Sequence, residues 1–582
     1  MVRAKIWALI AAVAAVQGAA GQQQGQTTAR PQTGVPALQP APAPRLSIDA
    51  YIRDAWSTLR RSMNECTSLR DPKINTTPVL YLPVDYQEPA AVAALQKKCG
   101  VEVKRLPVRI DHLGQDVEVR TPGLLYLPNP YVVPGGRFNE MYGWDSYFIL
   151  LGLLQDGHAD LARDMVENFF FEIEHYGGVL NANRTYYLTR SQPPFLSSMI
   201  REVWEAEVKA GRKEQAHAWI ERAYPFAQRD HDFWLSEPHR AGSTGLARYY
   251  DFGQGPVPEM ADDDTYYQNV IHWLLAHPGD HPEYLVQGPS SASASSREQL
   301  IRISCDPEVS EVCARAHVGS RWLSKDFYKG DRAMRESGFD PAFRWGPFDG
   351  STHHYAAVGL NALLYKYELD LAWMADQLGK SDEARNWKQE AAARQAAMNK
   401  YLWNEQRGEF FDYDFDTGKQ STYEYLTTFY PLWAGAATPE QARKVEANLS
   451  HFEHKGGLAM STTDSGVQWD YPYGWAPASW IAIDGLKKAG DLTDAVRVSQ
   501  EFMRTIHNSF VCDRTIREKY NVVTGSSVFA VAAGYRQNVV GFGWTNAAYL
   551  KMQQLLRDAG AKQPTATQNP KQCAAQPSQS AH

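Results

Sequence analysis

Residues 159–178 read ADLARDMVENFFFEIEHYGG, and this stretch shows the pattern that dominates the chain. Its apolar side chains Leu161, Met165, Phe169 and Ile173 recur every four residues, which places them on one face of a helix, and a pair of glycines then ends it. Similar stripes predict helices over 196–210, 214–235, 355–378, 382–401, 438–451, 476–489, 492–507 and 544–558. The chain from about residue 145 onward is therefore predicted to be all-α.

Long loops rich in Gly, Pro, Trp and Arg separate these predicted helices. Two architectures suit such a chain: an open α-solenoid, and a closed helical barrel whose loops gather at one end and can build a site. Solenoids usually carry a sequence repeat of about 20–50 residues, and none is visible here. This observation favours the closed barrel.

The composition is that of an ordinary globular protein, with 582 residues, 44% of them hydrophobic and 21% charged. The formal net charge of −7 argues against a nucleic-acid partner, because nucleic-acid binders usually present a basic face. Aromatic residues make up 12% of the chain. Their rings can fill a core or cover the face of a sugar, and composition does not separate these uses.

The two ends of the chain differ from the rest. Residues 1–21 combine Arg3 and Lys5 with the apolar run Ile6–Val16 and small residues after it, which predicts a secretory signal peptide, with an uncleaved membrane anchor as the alternative. Residues 22–45 predict a disordered leader rich in Gln and Pro, 46–559 a single folded domain, and 560–582 a disordered tail. We therefore expect an exported protein, periplasmic or extracellular, without membrane association after signal cleavage.

The chain has six cysteines, an even number that suits disulfides in an exported protein. The spacing favours Cys305–Cys313, which would close a short local loop, and then Cys66–Cys99. Buried free thiols are the alternative, and the sequence does not choose between them.

Two loop segments combine carboxylates with aromatic rings. Residues 134–147 read PGGRFNEMYGWDSY, and residues 468–477 read QWDYPYGWAP. A Trp-Asp pair suits a carbohydrate, because the indole can lie against the C–H face of a pyranose while the carboxylate accepts hydrogen bonds from its hydroxyl groups. Alternatively, either segment alone could be a structural turn whose charged side chains are satisfied in ion pairs.

Together these segments resemble both signature segments of the trehalase family, glycoside hydrolase family 37. The resemblance also includes NANRTYYLTRSQPP (181–194), ESGFDPAFRW (336–345), REKY (517–520) and GFGWTN (541–546), and it spans roughly residues 60–555. It implies an (α/α)6 barrel, a six-hairpin toroid, with long catalytic loops at one end. It further implies an enzyme that hydrolyses α,α-trehalose to two glucose molecules with inversion at one anomeric carbon. We expect this enzyme to act as a monomer and without a cofactor.

The resemblance also assigns site residues. It places the general acid at Asp340 and the general base at Glu518, and it places substrate contacts at Arg137, Trp144, Asp145, Asn181, Arg190, Ser191, Gln192, Glu259 and Gly338, with Trp469 as a further wall. Inverting hydrolysis needs one protonated carboxyl at the leaving oxygen and one ionised carboxylate that holds water on the opposite face. We therefore expect burial and neighbouring groups to raise the pKa of Asp340.

Two departures from the family pattern concern the subsite for the leaving glucose. Val257 stands where the family carries an arginine, in the run 255–259, and Tyr535 stands where a substrate-binding glutamate is expected. Phe339 also replaces a tryptophan that is common beside the acid. These changes keep two alternatives open: a related inverting α-glucosidase for another small glucoside, and a non-catalytic secreted sugar-binding protein. Retention of Asp340 and Glu518 argues against the second.

Two features resemble metal sites without completing them. Asp412, Asp414 and Asp416 copy the first acidic positions of an EF-hand loop, but Thr417 and Tyr423 occupy the positions that need glycine and glutamate. His353 and His354 form an adjacent pair without further metal-ligand spacing. The sequence therefore predicts a small hairpin at the aspartates and no metal site.

Overall fold

The computed structural model describes residues 47–70, 77–262, 265–292, 296–307, 310–531, 538–567 and 573. The predicted signal peptide (1–21) and leader (22–45) lie outside the described residues, as does Tyr535. The chain from Ser47 onward forms one compact unit.

Helices dominate this unit. Their bounds among the described residues are α1 Ile48–Leu59, α2 Cys66–Leu69, α3 Ala90–Cys99, α4 Gly143–Gln155, α5 Ala159–His175, α6 Leu196–Lys209, α7 Lys213–Leu235, α8 Tyr266–Ala276, α9 Arg297–Arg302, α10 Glu311–Arg315, α11 Lys325–Ser337, α12 Val358–Gln377, α13 Ser381–Tyr401, α14 Tyr430–Ala434, α15 Pro439–Ala447, α16 Ala476–Ala489, α17 Leu492–Asp513 and α18 Gly543–Asp558.

The helices form an (α/α)6 barrel, as predicted. Of the described helices, α4, α6, α12, α14, α16 and α18 make an inner ring in which each contacts the next and α18 contacts α4. Around this ring, α5 packs on α4 and α6, α7 on α6 and α12, and α17 on α16 and α18. In the same outer layer α13 packs on α12, α15 on α16 and α1 on α18.

The two layers differ in how much of each helix is buried. In outer α5 one stripe is buried, which includes Met165, Phe169 and Ile173. In inner α4 every residue from Gly143 to Leu153 is buried, because the barrel covers all its sides. The predicted helices are confirmed to within a few residues, whereas α4 was not predicted as a separate helix since it shows no polar face.

Short strands connect the helices. Their bounds are β1 Arg60–Arg61, β2 Val79–Leu82, β3 Glu102–Arg105, β4 Leu124–Leu125, β5 Tyr131–Val132, β6 Leu285–Gln287, β7 His317–Val318, β8 Arg321–Leu323, β9 Tyr355–Ala356, β10 Trp403–Asn404, β11 Glu409–Phe410, β12 Tyr413–Asp414, β13 Lys419–Gln420, β14 Glu453–His454, β15 Gly457–Leu458, β16 Tyr473–Trp475 and β17 Lys519–Asn521.

Two of the strand groups bring together segments that are distant in the sequence. Antiparallel β16 and β17 pair Trp475 with Lys519, which brings segment 468–477 beside Glu518. The predicted hairpin is β12–β13, and β9 pairs with β12 on its other side. Parallel β2, β3 and β4 form a small sheet near the start of the described chain.

Disulfides join both predicted cysteine pairs, Cys66–Cys99 and Cys305–Cys313, and a third joins Cys512 to Cys573. The described part of the predicted tail lies against α17, where the Thr567 amide donates to Asn508 Oδ1 at 2.8 Å. Within the described residues, no helix has the length and apolar character needed to cross a membrane.

Candidate active site

The predicted acid follows directly after α11. The Ser324 side chain caps the start of this helix, and Gly338 ends it in the left-handed conformation with φ 76°. A Cβ on Gly338 would lie 2.8 Å from the indole of Trp144, so both the backbone angle and the space require glycine. The tight turn directs the chain into Phe339 and Asp340.

Asp340 lies among charged groups. Its Oδ2 is 3.8 Å from Nη1 of Arg335, and its side chain keeps 20% exposure. Burial raises the pKa of Asp340 to about 6, although the Arg335 and Arg190 guanidinium groups act to lower it. The expected upward shift in pKa is therefore present, and burial causes it.

Arg335 is held in place by a buried carboxylate on its own helix. Its Nε and Nη2 donate to Asp331 at 3.3 and 3.2 Å. The hydroxyl groups of Tyr266 and Tyr267 donate to the same carboxylate at 3.2 and 2.8 Å. This network fixes a cation beside Asp340, and sequence reasoning missed it, although Asp331 and Arg335 have the i, i+4 spacing of a helical ion pair.

A second cation, Arg190, also acts on the acid. Arg190 forms a buried ion pair with Glu259 and lies 3.5 Å from Asp251, which in turn pairs with Arg332 at 3.0 Å. Burial would raise the pKa of Glu259, but Arg190 and Arg335 lower it overall. Within the described residues, the buried atoms Arg190 Nε and Glu259 Oε2 have no hydrogen-bond partner.

Val257 does not add to this charged group. It is fully buried in an apolar cluster with Met260, Val270 and Ile271, and its amide donates to the Tyr267 hydroxyl at 3.0 Å. Since Arg335 helps to lower the pKa of Glu259, a cation still acts on this carboxylate although residue 257 carries none.

The first signature segment supplies the start of α4. The Trp144 amide donates to Gln192 Oε1 at 2.9 Å, which anchors the first turn of the helix. Asp145 is buried beside it, and its pKa is raised well above its usual range by burial and by the charges of Glu518 and Asp340. Both predicted catalytic carboxylates therefore act electrostatically on one residue.

Asn181 and Ser191 hold the surrounding backbone together. Asn181 Nδ2 donates to the carbonyl oxygens of Ser191 and Arg335 at 3.4 and 3.3 Å. The Ser191 hydroxyl donates to the carbonyl of Val179 at 2.7 Å, and its amide donates to Glu336 Oε1 at 3.2 Å. Ser191 thus has the bonding of a turn residue, and its hydroxyl is directed at the backbone.

Aromatic rings form a wall beside Asp340. Trp469 stacks on Trp475 with a centroid distance of 3.7 Å and lies 6.0 Å from Trp144. Phe339 packs its edge against Trp469 and Trp144 at 5.2 and 5.4 Å. Arg137, from the first signature segment, is half-buried, with its guanidinium 5.6 Å from the centroid of the Phe138 ring.

Glu518 lies immediately before β17, and its backbone is fixed on both sides. Its amide donates to Val539, and its carbonyl accepts hydrogen bonds from Trp544 Nε1 at 3.3 Å and Thr545 Oγ1 at 3.4 Å. Its Oε2 is 2.6 Å from Nζ of Lys519, a residue that is 1% exposed. In the sequence, Lys519 is only the next residue of the motif. The structure shows that its side chain forms an ion pair with the Glu518 carboxylate.

Comparison with known proteins identifies the family. The profile described as Trehalase matches residues 46–286 and 310–557. A cytosolic neutral trehalase from Saccharomyces cerevisiae is 35% identical over 85% of this chain and 69% of its own length, and one from Neurospora crassa is 34% identical over 88% and 73%. The solved structure of a neutral trehalase from Saccharomyces cerevisiae has a TM-score of 0.70 and 32% identity, over 87% of this chain and 94% of that one.

These relatives correct one expectation. The predicted signal peptide and the periplasmic or extracellular location are contradicted by relatives that are named as cytosolic enzymes. A short charged and apolar run followed by small residues is a pattern of composition, and it carries less information than a match over most of the chain. The prediction of export is therefore wrong.

The matched ranges include both signature segments, 134–147 and 468–477, and both predicted catalytic carboxylates. The match covers nearly the whole barrel, and the fold is shared with a solved member at 32% identity. The chain therefore belongs to the trehalase family.

Proposed function

We propose that the chain hydrolyses α,α-trehalose with inversion, using Asp340 as general acid and Glu518 as general base. Family membership supports trehalose as the substrate. One observation supports the assignment of roles. The charges of both carboxylates help to raise the pKa of Asp145, but the two carboxylates have different surroundings. Asp340 has a pKa raised to about 6, and Glu518 is paired with an ammonium group.

The chemistry follows from these surroundings. Protonated Asp340 donates its proton to the glycosidic oxygen as the bond from that oxygen to the anomeric carbon breaks. Glu518 accepts a proton from a water molecule, whose oxygen attacks the anomeric carbon from the opposite face. The products are one glucose with inverted and one with retained anomeric configuration, and the proton taken by Glu518 balances the proton given by Asp340.

Other residues bind and orient the sugars. The indoles of Trp144 and Trp469 offer apolar faces to the pyranose rings, and Asp145 accepts hydrogen bonds from hydroxyl groups. Arg190 and Glu259 form hydrogen bonds with sugar hydroxyl groups. Arg335 supplies the positive charge that Val257 lacks, which supports trehalose over another glucoside as the substrate.

The same proposal includes the remaining expectations about partners. The enzyme acts as a monomer on a small sugar, without nucleic acid, membrane or cofactor. Light scattering on the purified chain measures its mass in solution, and a dimer would contradict this part alone.

Proton NMR of the purified chain mixed with α,α-trehalose tests the reaction. Early spectra should show one α-glucose and one β-glucose per trehalose consumed, before mutarotation mixes the anomers. Release of α-glucose alone would contradict inversion. Absence of glucose at millimolar trehalose would contradict the substrate, and a panel of other disaccharides would then identify which glucoside is cleaved.

A further inference from the structure

Two features that the sequence analysis rejected separately as metal sites lie side by side in the structure. His353 and His354 end a short 3-10 turn directly before β9, and Asp416 lies in the turn between β12 and β13. Since β9 pairs with β12, the histidines and this aspartate meet at one edge of the small sheet. Asp326, from the first turn of α11, completes the group.

The distances within this group suit a metal ion. One carboxylate oxygen, Asp326 Oδ1, lies 3.1 Å from His353 Nε2 and 3.2 Å from His354 Nε2. One ligand atom from each of these three residues lies within 4.8 Å of the others. In a tetrahedral zinc site with bonds of about 2.0–2.1 Å, neighbouring ligand atoms are about 3.3 Å apart.

Asp416 adds a second feature of such sites. It contacts His354 through Nδ1, the ring nitrogen opposite the one that faces Asp326. Metal-binding histidines commonly donate their other ring N–H to a carboxylate, which fixes the tautomer and the orientation of the ring. Asp416 is placed to do this for His354.

Charge distinguishes this group from the two other groups of comparable composition among the described residues. In the group of His231, Glu368 and Glu390, the guanidinium of Arg394 already pairs with Glu368 at 2.7 Å. In the group of Glu409, Glu424 and His451, Arg407 pairs with Glu424. Asp326 and Asp416 make ion pairs with histidines and, among the described residues, with no lysine or arginine.

We propose that Asp326, His353 and His354 bind one divalent transition-metal ion of the zinc type, with Asp416 orienting His354. Zinc accepts mixed imidazole and carboxylate ligands, whereas calcium prefers oxygen ligands throughout. The ion would join the start of α11 to the sheet of β9, β12 and β13. Because α11 has 13 residues and is about 20 Å long, the ion lies far from Asp340, at the other end of the helix.

The ion therefore stabilises the helix that carries the acid without taking part in the hydrolysis. Anchoring both the start and the end of α11 would restrict the movement of the turn at Gly338 and Asp340. We expect zinc to raise the melting temperature of the protein and to leave its chemistry on trehalose unchanged.

Equilibrium dialysis of the tag-free, full-length chain against zinc chloride, after removal of metals with a chelator, tests the proposal. We expect one bound zinc per chain and a rise in melting temperature with zinc that calcium at the same concentration does not produce. The double variant His353→Gln/His354→Gln should lose both effects, and Asp416→Asn should weaken binding by about 10–100-fold.

The matched control is His451→Gln, which alters an exposed histidine beside two glutamates and should bind zinc as the unaltered chain does. Trehalose hydrolysis by the chelator-treated double variant confirms that it folds. The proposal is overturned if the unaltered chain binds no more zinc than the double variant, or if His451→Gln removes the binding.

Discussion

The two carboxylates proposed as catalytic lie in regions of different construction. Asp340 follows a buried helix and lies 3.8 Å from the nearest guanidinium nitrogen of Arg335, with Arg190 and Glu259 also acting on it. Glu518 precedes a two-stranded ribbon and has an ammonium nitrogen at 2.6 Å. Burial dominates at the first carboxylate, whereas a direct ion pair is present at the second.

This difference teaches how one side-chain chemistry can serve two opposite roles. A carboxyl group whose pKa is raised to about 6 holds a proton near neutral pH more readily than an ordinary aspartate does. A carboxylate that pairs with a buried lysine can accept a proton from water. The sequence distance between them has no bearing on these roles, because the surroundings set them.

The largest effect should come from removing either carboxylate. We expect Asp340→Asn and Glu518→Gln each to lower kcat on trehalose by about 10²–10⁴-fold, the usual contribution of general acid–base catalysis. Steady-state kinetics measure this. The control is Asp464→Asn, an exposed aspartate just before the second signature segment, which should keep full activity. Loss of trehalose binding with an unchanged kcat would contradict the catalytic role.

The next effect concerns the turn that carries the acid. Gly338→Ala should lower the free energy of unfolding by about 2–4 kcal/mol, because it adds a contact 2.8 Å from Trp144 to the strain of a positive φ. Gly435→Ala is the matched control: this glycine also ends a helix, with φ 77°, but has no heavy atom within 4 Å of its Cβ position. It should lose about 1 kcal/mol. Equal losses in chemical denaturation would show that the contact with Trp144 is unimportant.

The raised pKa of Asp340 should also affect stability. Its folded-state pKa of about 6 lies above the ordinary value of 3.8, so its contribution to stability is fully present below about pH 4 and is lost as pH rises through 6. Asp340→Asn cannot lose a proton there. We expect this variant to be more stable than the unaltered chain above pH 6, by up to about 3 kcal/mol, and little different below pH 4.

Thermal unfolding at several pH values measures this difference. Asp464→Asn again serves as the control and should follow the unaltered chain at every pH. If Asp340→Asn were less stable than the unaltered chain above pH 6, the raised pKa would be contradicted.

The smallest predicted effect isolates Arg335. This guanidinium lowers the pKa of Asp340, so Arg335→Gln should raise that pKa and move the alkaline limb of the kcat/KM profile to higher pH. Arg335→Lys keeps the charge and should leave the limb near its original position. Arg321→Gln, at an exposed arginine in β8, is the control. A limb that stays in place, or moves to lower pH, would contradict the role of Arg335.

The sequence predicted the outer helices better than the inner ones. Helices such as α5 and α17 bury one face, so an apolar stripe marks them. Helix α4 is buried on all sides, so no polar stripe marks it, and α14 has five residues, which is too short for any periodicity to show. The prediction of a closed ring came from the resemblance to the trehalase family, because the helix pattern alone did not exclude an open α-solenoid.

The site shows a similar limit. Motifs predicted Asp340 and Glu518 as the acid and the base, but Arg335 lies one residue outside segment 336–345, and its effect depends on how α11 packs. The group of Asp326, His353, His354 and Asp416 comes from three separate parts of the chain. Its members meet through tertiary contacts, so each part alone lacked the spacing of a metal site.

Hydrolysis of α-D-glucosyl fluoride tests most directly whether Asp340 is the acid and Glu518 the base. Fluoride leaves without a proton, so this substrate needs the base and not the acid. We predict that Asp340→Asn, strongly impaired on trehalose, hydrolyses the fluoride at a rate close to that of the unaltered chain and releases β-glucose, while Glu518→Gln does not. The opposite pattern, or loss of activity on the fluoride in Asp340→Asn, would contradict the account.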